Sequence, residues 1–344
     1  MPRTQITAFA PEHLPAVTRF TQELWPWPDD PGFYRWRFLD CAAFQHVYLA
    51  IRGDTRGDDK CLAMICAFER ELLVDGERRR VLDGFDWATA DEPGAGTLGF
   101  FVMQALFKEH RLPILGFSGT EISMALRSRL GFESLDPVPR FVLPVAGSGG
   151  GFQKLATGLA ARFWFRPRKP EPPAGARVVE ATGVGPEILA LYEGETSYRS
   201  VLLPDLELYR WVLSQGDPED FLPLHFFVGG ELRGWTLARI YEAEGRKEAA
   251  LLECFAPRPS TELYGWMVAE TLAHLAPFKL EKVRAAASCP LLARALRGAR
   301  FLERRPIPLD YKSQGEELPG TPRHLTWNGA DFTFRPYARW GEES

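Results

Sequence analysis

The stretch Val81–His110, VLDGFDWATADEPGAGTLGFFVMQALFKEH, decides how this chain is read. It opens as an apolar strand, turns through Gly94, Gly96 and Gly99, and continues as a helix whose expected buried face carries Leu98, Phe101, Val102, Ala105 and Leu106. A strand that enters a helix through glycines leaves backbone N–H groups pointing above the turn, where the helix dipole adds partial positive charge. That suits a phosphate or pyrophosphate, although a plain strand-to-helix turn has the same residues. No Gly-Lys-Ser/Thr follows, so this is not a P-loop, and the βαβ context of a dinucleotide fingerprint is missing.

Working outward, the same order of elements occurs twice. A strand over Thr4–Phe9 and a helix from about Glu12 to Leu24 match a strand over Ala176–Ala181 and a helix from about Gly185 to Glu193. Phe33-Tyr34-Arg35-Trp36 recurs as Leu208-Tyr209-Arg210-Trp211. Three β segments follow each motif, with hairpin turns at Asp75-Gly76 in the first half and Gly229-Gly230 in the second. Leu82-Asp83 then aligns with Leu252-Glu253, helix Thr97–His110 with Thr261–Leu275, and strand Pro113–Phe117 with Val283–Ala287. A repeat this long means two similar domains rather than a solenoid. The expected division is 1–145, a linker over 146–175, and 176–344. Within the linker Phe152, Leu155, Leu159, Phe163 and Trp164 share one helical face, as a connector across the seam would.

Bulk properties narrow the class. The 344 residues, 45 % hydrophobic and 25 % charged, describe a globular chain of two domains, and the net charge of −4 argues against a general nucleic-acid or anionic-membrane binder. Apolar stretches such as Leu98–Phe107, interrupted at Gln104, are too short to cross a bilayer, and no secretory pattern opens the sequence, so a cytoplasmic location is expected. Five scattered cysteines read as buried thiols in a reducing compartment. The histidines show no metal-ligand spacing, so no metal site is expected.

The order of strand, helix, short helix, three antiparallel strands, Gly-containing loop, helix, strand, helix and final strands resembles the GNAT superfamily of acyl-CoA-dependent N-acetyltransferases. VLDGFDWATADEPGAGTLGFFVMQAL carries the resemblance for the acyl-CoA strand, loop and helix; LGFSGTEISMALRSRLGFESL carries it for the next strand and helix. YRWRFLD is similar to the tryptophan-rich helix of some GNAT-like proteins. The resemblance implies an α/β fold of two GNAT-like domains, each a mixed, mostly antiparallel sheet flanked by helices, the second degenerate. Two departures stand out. Asp91 occupies the place where the family's loop carries Gln or Arg, and ECFAPRPSTELYGWM in the second half has no Gly-x-Gly.

The activity implied is transfer of an acetyl or other acyl group from CoA to an amine on a small molecule or peptide, with acetyl-CoA as cosubstrate and a homodimer possible. Phe85, Trp87, Gly94, Ala95, Gly96, Thr97, Leu98 and Gly99 would bind the coenzyme. A lysine-like amine is neutral only about once in two thousand molecules at pH 7, so a proton acceptor helps. Asp83 and Asp86 are the acids on the implied thioester strand. A bulge at Gly84 would bring both to one side and free an N–H, of Phe85 or Trp87, for the oxyanion. Pairing of Asp83 with Arg70 or Arg79 is the structural alternative. Trp25, Trp27, Tyr34 and Trp36 either line an acceptor pocket or close a core. Relatives often supply a tyrosine from the last helix to the leaving thiol; here Ser123 is the nearest hydroxyl. Glu253 with Tyr264 offers a second acid/base pair, and His324–Arg335 reads as an Asn-Gly hairpin. Two other functions fit the same residues. One is a non-catalytic GNAT-like binding module; the other is a Fem-type aminoacyl transferase, which needs a strong basic surface, for which the chain offers only the linker and Arg294, Arg297, Arg300, Arg304 and Arg305.

Overall fold

A computed structural model of the chain describes residues 4–145 and 170–326, apart from 26, 42–44, 54–58, 118, 194, 196, 215–219, 244, 316–317 and 319–322. The linker helix expected over 152–164 and the Asn-Gly turn at 328–329 lie outside the described residues.

The first half runs β1 (Thr4–Ala8), α1 (Leu14–Leu24), α2 (Pro31–Phe38), β2 (Gln45–Arg52), β3 (Lys60–Val74), β4 (Glu77–Thr89), α3 (Gly96–His110), β5 (Ile114–Phe117), α4 (Glu121–Arg129) and β6 (Glu133–Pro144). The second continues β7 (Ala176–Glu180), α5 (Pro186–Ala190), β8 (Ser200–Leu202), α6 (Leu206–Leu213), β9 (Phe221–Val228), β10 (Glu231–Ala243), β11 (Arg246–Phe255), α7 (Thr261–Leu275), β12 (Lys282–Ala286), α8 (Pro290–Gly298), β13 (Leu302–Lys312) and β14 (Arg323–His324). Asp75 and Gly76 both have positive φ, as a two-residue hairpin turn requires, and so do Gly229 and Gly230. No helix among the described residues is long and apolar enough to cross a membrane.

All strands join one sheet, whose main path is β1, β2, β3, β4, β5, β13, β6, β12, β11, β10, β9, β7. The path reads alike from either edge, but the last strand of each half is exchanged. Strand β13 pairs antiparallel with β5, β6 pairs antiparallel with β12, and β6 and β13 pair with each other across the centre. The expected boundary after residue 145 thus falls at the end of a strand whose two neighbours both come from the second half. Side chains follow the exchange: Asp310 on β13 accepts from Arg127 of α4 at 3.2 Å and from Ser134 at 2.9 Å.

The repeated aromatic motif forms the other seam. Trp36 of α2 and Trp211 of α6 stack with ring centroids 4.2 Å apart and planes 12° apart. Each indole N–H donates to the other residue's carbonyl, at 3.0 and 2.9 Å. Both side chains are buried, so each satisfies the donor its partner brings into the core.

Three sequence expectations shift. Phe101 is 47 % exposed, and the buried residues of α3 are Gly99, Val102, Met103 and Leu106. The β4 bulge lies at Asp86–Trp87 rather than at Gly84: Cys66 pairs with Phe85 and Met64 with Ala88, and Asp86 takes φ +48°. Gly84 instead lies in regular pairing, where an added Cβ would sit 3.5 Å from both Ile114 Cγ2 and the Leu115 carbonyl. The counterpart of Glu253 is Asp86 rather than Asp83. The β4–β5 ladder ends at Gly84 with Gly116 and the β11–β12 ladder at Leu251 with Ala285, which leaves Asp86 and Glu253 two residues beyond their respective ladders.

Replacing Trp36 by alanine should cost about 3–5 kcal/mol in denaturant unfolding. In a double-mutant cycle with Trp211→Ala the two losses should couple by about 1 kcal/mol or more, whereas simple addition would mean that the stack does not act as a unit.

Candidate active site

Because β4 and β5 pair only through Gly116, and β11 and β12 only through Ala285, each half contains two parallel strands that part in mid-sheet. In each half a bulged strand that carries a buried acid beyond its ladder is followed by a glycine or serine loop and a helix. The two gaps share this frame and differ in their side chains.

At the first gap Asp86 meets Arg37 of α2 at 2.6 Å, both side chains nearly fully buried. Arg37 also contacts Gln45 at 3.2 Å and lies over the Phe85 ring at 4.8 Å and the Trp211 ring at 6.0 Å. Asp83 is buried beside Arg70, 3.8 Å away, so the ion-pair alternative for this acid is the observed contact. Asp83 pairs in register with Phe68, over which Arg37 also lies, so both acids share the face of the sheet that α2 covers. The bulge achieves this two residues later than expected.

The loop above is open. Gly94 has φ +84°, Gly94, Gly96 and Thr97 are exposed, and a Cβ at Gly94 or Gly96 would meet nothing within 4 Å. No side chain caps α3. Asp91 is exposed, while Glu92 is turned into ion pairs with Arg52, at 3.2 Å, and Lys60. Ala95 is buried, Leu98 is half-buried, and the Thr97 hydroxyl donates to Gly94 O at 3.2 Å. Gly99 has a different task. An added Cβ would lie 2.8 Å from Thr89 Cγ2, and the Gly99 carbonyl accepts from the Trp87 indole at 2.9 Å, so Trp87 and Gly99 lock α3 onto β4.

The predicted acceptor aromatics separate into two sets. Trp25 and Trp27 stack at 4.9 Å and are half-buried. Tyr34 and Trp36 are buried, the latter in the seam. Ser123 makes capping contacts with Thr120 at the start of α4.

The second gap is closed by its own chain. Ser260 caps α7 by accepting from Leu263 N at 3.0 Å, and the Glu195 carboxylate accepts from Arg258 N at 3.1 Å. A protein carboxylate thus takes the backbone donor that an anion would use. Inside, Glu253 accepts from the backbone N–H of Cys254 at 2.8 Å and pairs with His324 Nε2 at 2.9 Å. The Tyr264 hydroxyl bonds that of Tyr198 at 2.6 Å. Cys289, at the N-terminus of α8, lies against the His324 ring. Burial alone would lower the His324 pKa; the Glu253 carboxylate and the Cys289 sulfur outweigh it and hold it at about 9.

Comparison with solved structures places this architecture. The fold matches a probable N-acyltransferase from Enterococcus faecalis with TM-score 0.63 and 10 % identity, over 90 % of this chain and 72 % of that one. It matches a GCN5-related N-acetyltransferase from Anabaena variabilis with TM-score 0.61 and 11 % identity, over 91 % and 73 %. The chain has the GNAT fold. The N-myristoyltransferase of Saccharomyces cerevisiae with bound myristoyl-CoA is also similar, with TM-score 0.58 and 8 % identity over 90 % and 83 %. No protein-family model matches the sequence, and no curated protein matches it.

Sequence reasoning singled out the Gly94–Gly99 loop together with Asp83 and Asp86, and did not single out Arg37, Cys289 or His324 as their neighbours or counterparts. Arg37 stands inside the aromatic run YRWRF, and Cys289 starts a helix where its first-half counterpart is the capping Thr120. Those were the available signals.

A group whose pKa rises on folding contributes stability that is complete below its unfolded value, near 6.5 for histidine, and is lost as the pH rises through the folded value. The His324 contribution should therefore lower the melting temperature as the pH rises from about 6.5 towards 9, where the folded protein keeps a proton that the unfolded chain has released, against the opposite contribution of Cys289, whose pKa is lowered. His324→Gln should flatten that slope; an unchanged slope would assign it to other groups.

Proposed function

We propose that the protein transfers an acyl group from acyl-CoA to an amine at the first gap. The observation that carries this reading is the contrast between the two loops. At the first, the uncapped N-terminus of α3 stands behind exposed Gly94 and Gly96; at the second, Ser260 and Glu195 use up the matching donors. Backbone amides left open at a helix N-terminus favour a pyrophosphate. The thioester arm would then follow the gap where β4 leaves β5, and the similarity to acyltransferase folds agrees with an acyl-CoA donor. Acetyl-CoA is the donor we assign, with 1–145 as the coenzyme-binding domain, 146–175 as linker and 176–344 as a GNAT-like domain that completes the cleft.

In this mechanism Asp86, on the bulge and oriented by Arg37, takes the proton from the attacking amine. A bulge leaves one residue outside the ladder, so the Trp87 amide is the donor for the developing oxyanion. Asp83, tied to Arg70, keeps the strand's register beneath the acid. Trp25 and Trp27 flank the acceptor.

Acetyl-CoA at a hundred times its dissociation constant should stabilise the protein by about 2.7 kcal/mol. Gly96→Asp should abolish the thermal shift by placing a carboxylate among the amides. Asp86→Asn should retain the shift and slow turnover by about a hundredfold or more. The absence of a shift at millimolar CoA, or a normal shift in Gly96→Asp, would overturn the assignment.

A further inference from the structure

Cysteine, histidine and glutamate meet at the second gap, in a half whose nucleotide entrance is closed. The residues beside Cys289 and His324 clasp each other. Ser288 N donates to Leu325 O at 3.0 Å, Leu325 N to Ser288 Oγ at 2.7 Å, and Ser288 Oγ to Arg323 O at 3.0 Å. This brings the His324 ring against the sulfur. Its Nε2 is committed to Glu253 at 2.9 Å, and its Nδ1 is buried with no hydrogen-bond partner. A structural histidine would pair that nitrogen with a carbonyl. The Tyr198 hydroxyl lies 3.9 Å from Cys289 Sγ.

We propose that Cys289 is a nucleophile, oriented by His324 and Glu253, that accepts the acyl group of a short thioester lacking a nucleotide. The thiolate sulfur attacks the thioester carbonyl and forms a new S–C bond. The old C–S bond breaks, and the leaving thiolate takes the proton from His324 Nδ1, which leaves a neutral imidazole bonded to Glu253. No oxidant, reductant or metal takes part. The donor is small because Glu195 and Ser260 accept from amides that could hold phosphates, and because Cys289, His324 and Glu253 are buried.

The electrostatics agree with this geometry. Burial pushes Cys41 and Cys61 up to about 12, and Cys66 and Cys254 well above the usual thiol range. Burial acts on Cys289 in the same direction, but the hydrogen bond and charge of His324, with the amides of Leu292 and Leu291, bring it below its ordinary value. The other ionisable groups beside the pair are Glu253 and Cys254 on β11, Tyr264 on α7, and Tyr198 before β8.

The test is incubation of the full chain with the S-acetyl thioester of N-acetylcysteamine, followed by intact mass and peptide mapping. One acetyl group on Cys289 is expected, absent in Cys289→Ser, whose serine is itself a good helix cap. His324→Gln should slow acylation about tenfold or more. Alkylation of Cys289 should fall less than about tenfold from pH 8 to pH 6, where an ordinary thiol loses roughly 75-fold of its thiolate. An unmodified Cys289 in the wild type, an unchanged rate in His324→Gln, or acetyl-CoA acylating more than about tenfold faster than the short thioester would each overturn the proposal. None of these readouts needs coenzyme at α3, so the result is separable from the fate of the first-gap assignment.

Discussion

The two tryptophans at the seam fix how the halves face each other, and the first gap depends on them. Each indole N–H can enter the core only because the other residue's carbonyl accepts it. Trp211 also forms part of the aromatic surround of Arg37, which in turn holds Asp86. The charge environment of an acid on β4 is therefore set partly by a helix more than a hundred residues later. A buried arginine in this position is tolerable because its charge is paired and its face lies on rings.

Much of the fold was legible locally. The glycine-to-helix transition at Gly94–Gly96, the hairpins at Asp75-Gly76 and Gly229-Gly230, and the span Thr261–Leu275 all depend on short-range backbone chemistry that residue types announce. The strand exchange was not legible, because β6 and β13 look the same in sequence whether they pair within their own half or across it. The bulge was misplaced for an instructive reason. Glycine suggested the irregular position, but aspartate also tolerates φ near +50°, and Gly84 is needed where Ile114 and Leu115 pass close by. Half of the aromatic set was ambiguous for the same kind of reason: Tyr34 and Trp36 carry no mark that separates a pocket wall from a seam.

The two gaps show how a repeated frame can diverge. Bulge, parting strands and helix N-terminus are common to both, since they follow from backbone pairing. What differs is who satisfies the loop amides and what meets the acid. In one half the loop is exposed and uncapped and the acid meets arginine; in the other a glutamate and a serine accept from backbone amides and the acid meets histidine.

The exchange of β6 and β13 has a consequence for how the protein is made. Strand β5 emerges from the ribosome with residues 114–117, yet its neighbour on one side spans residues 302–312. The first half therefore cannot complete the native pairing of its own sheet until residues 302–312 have been made, and β5 is an edge that only a distant part of the chain covers.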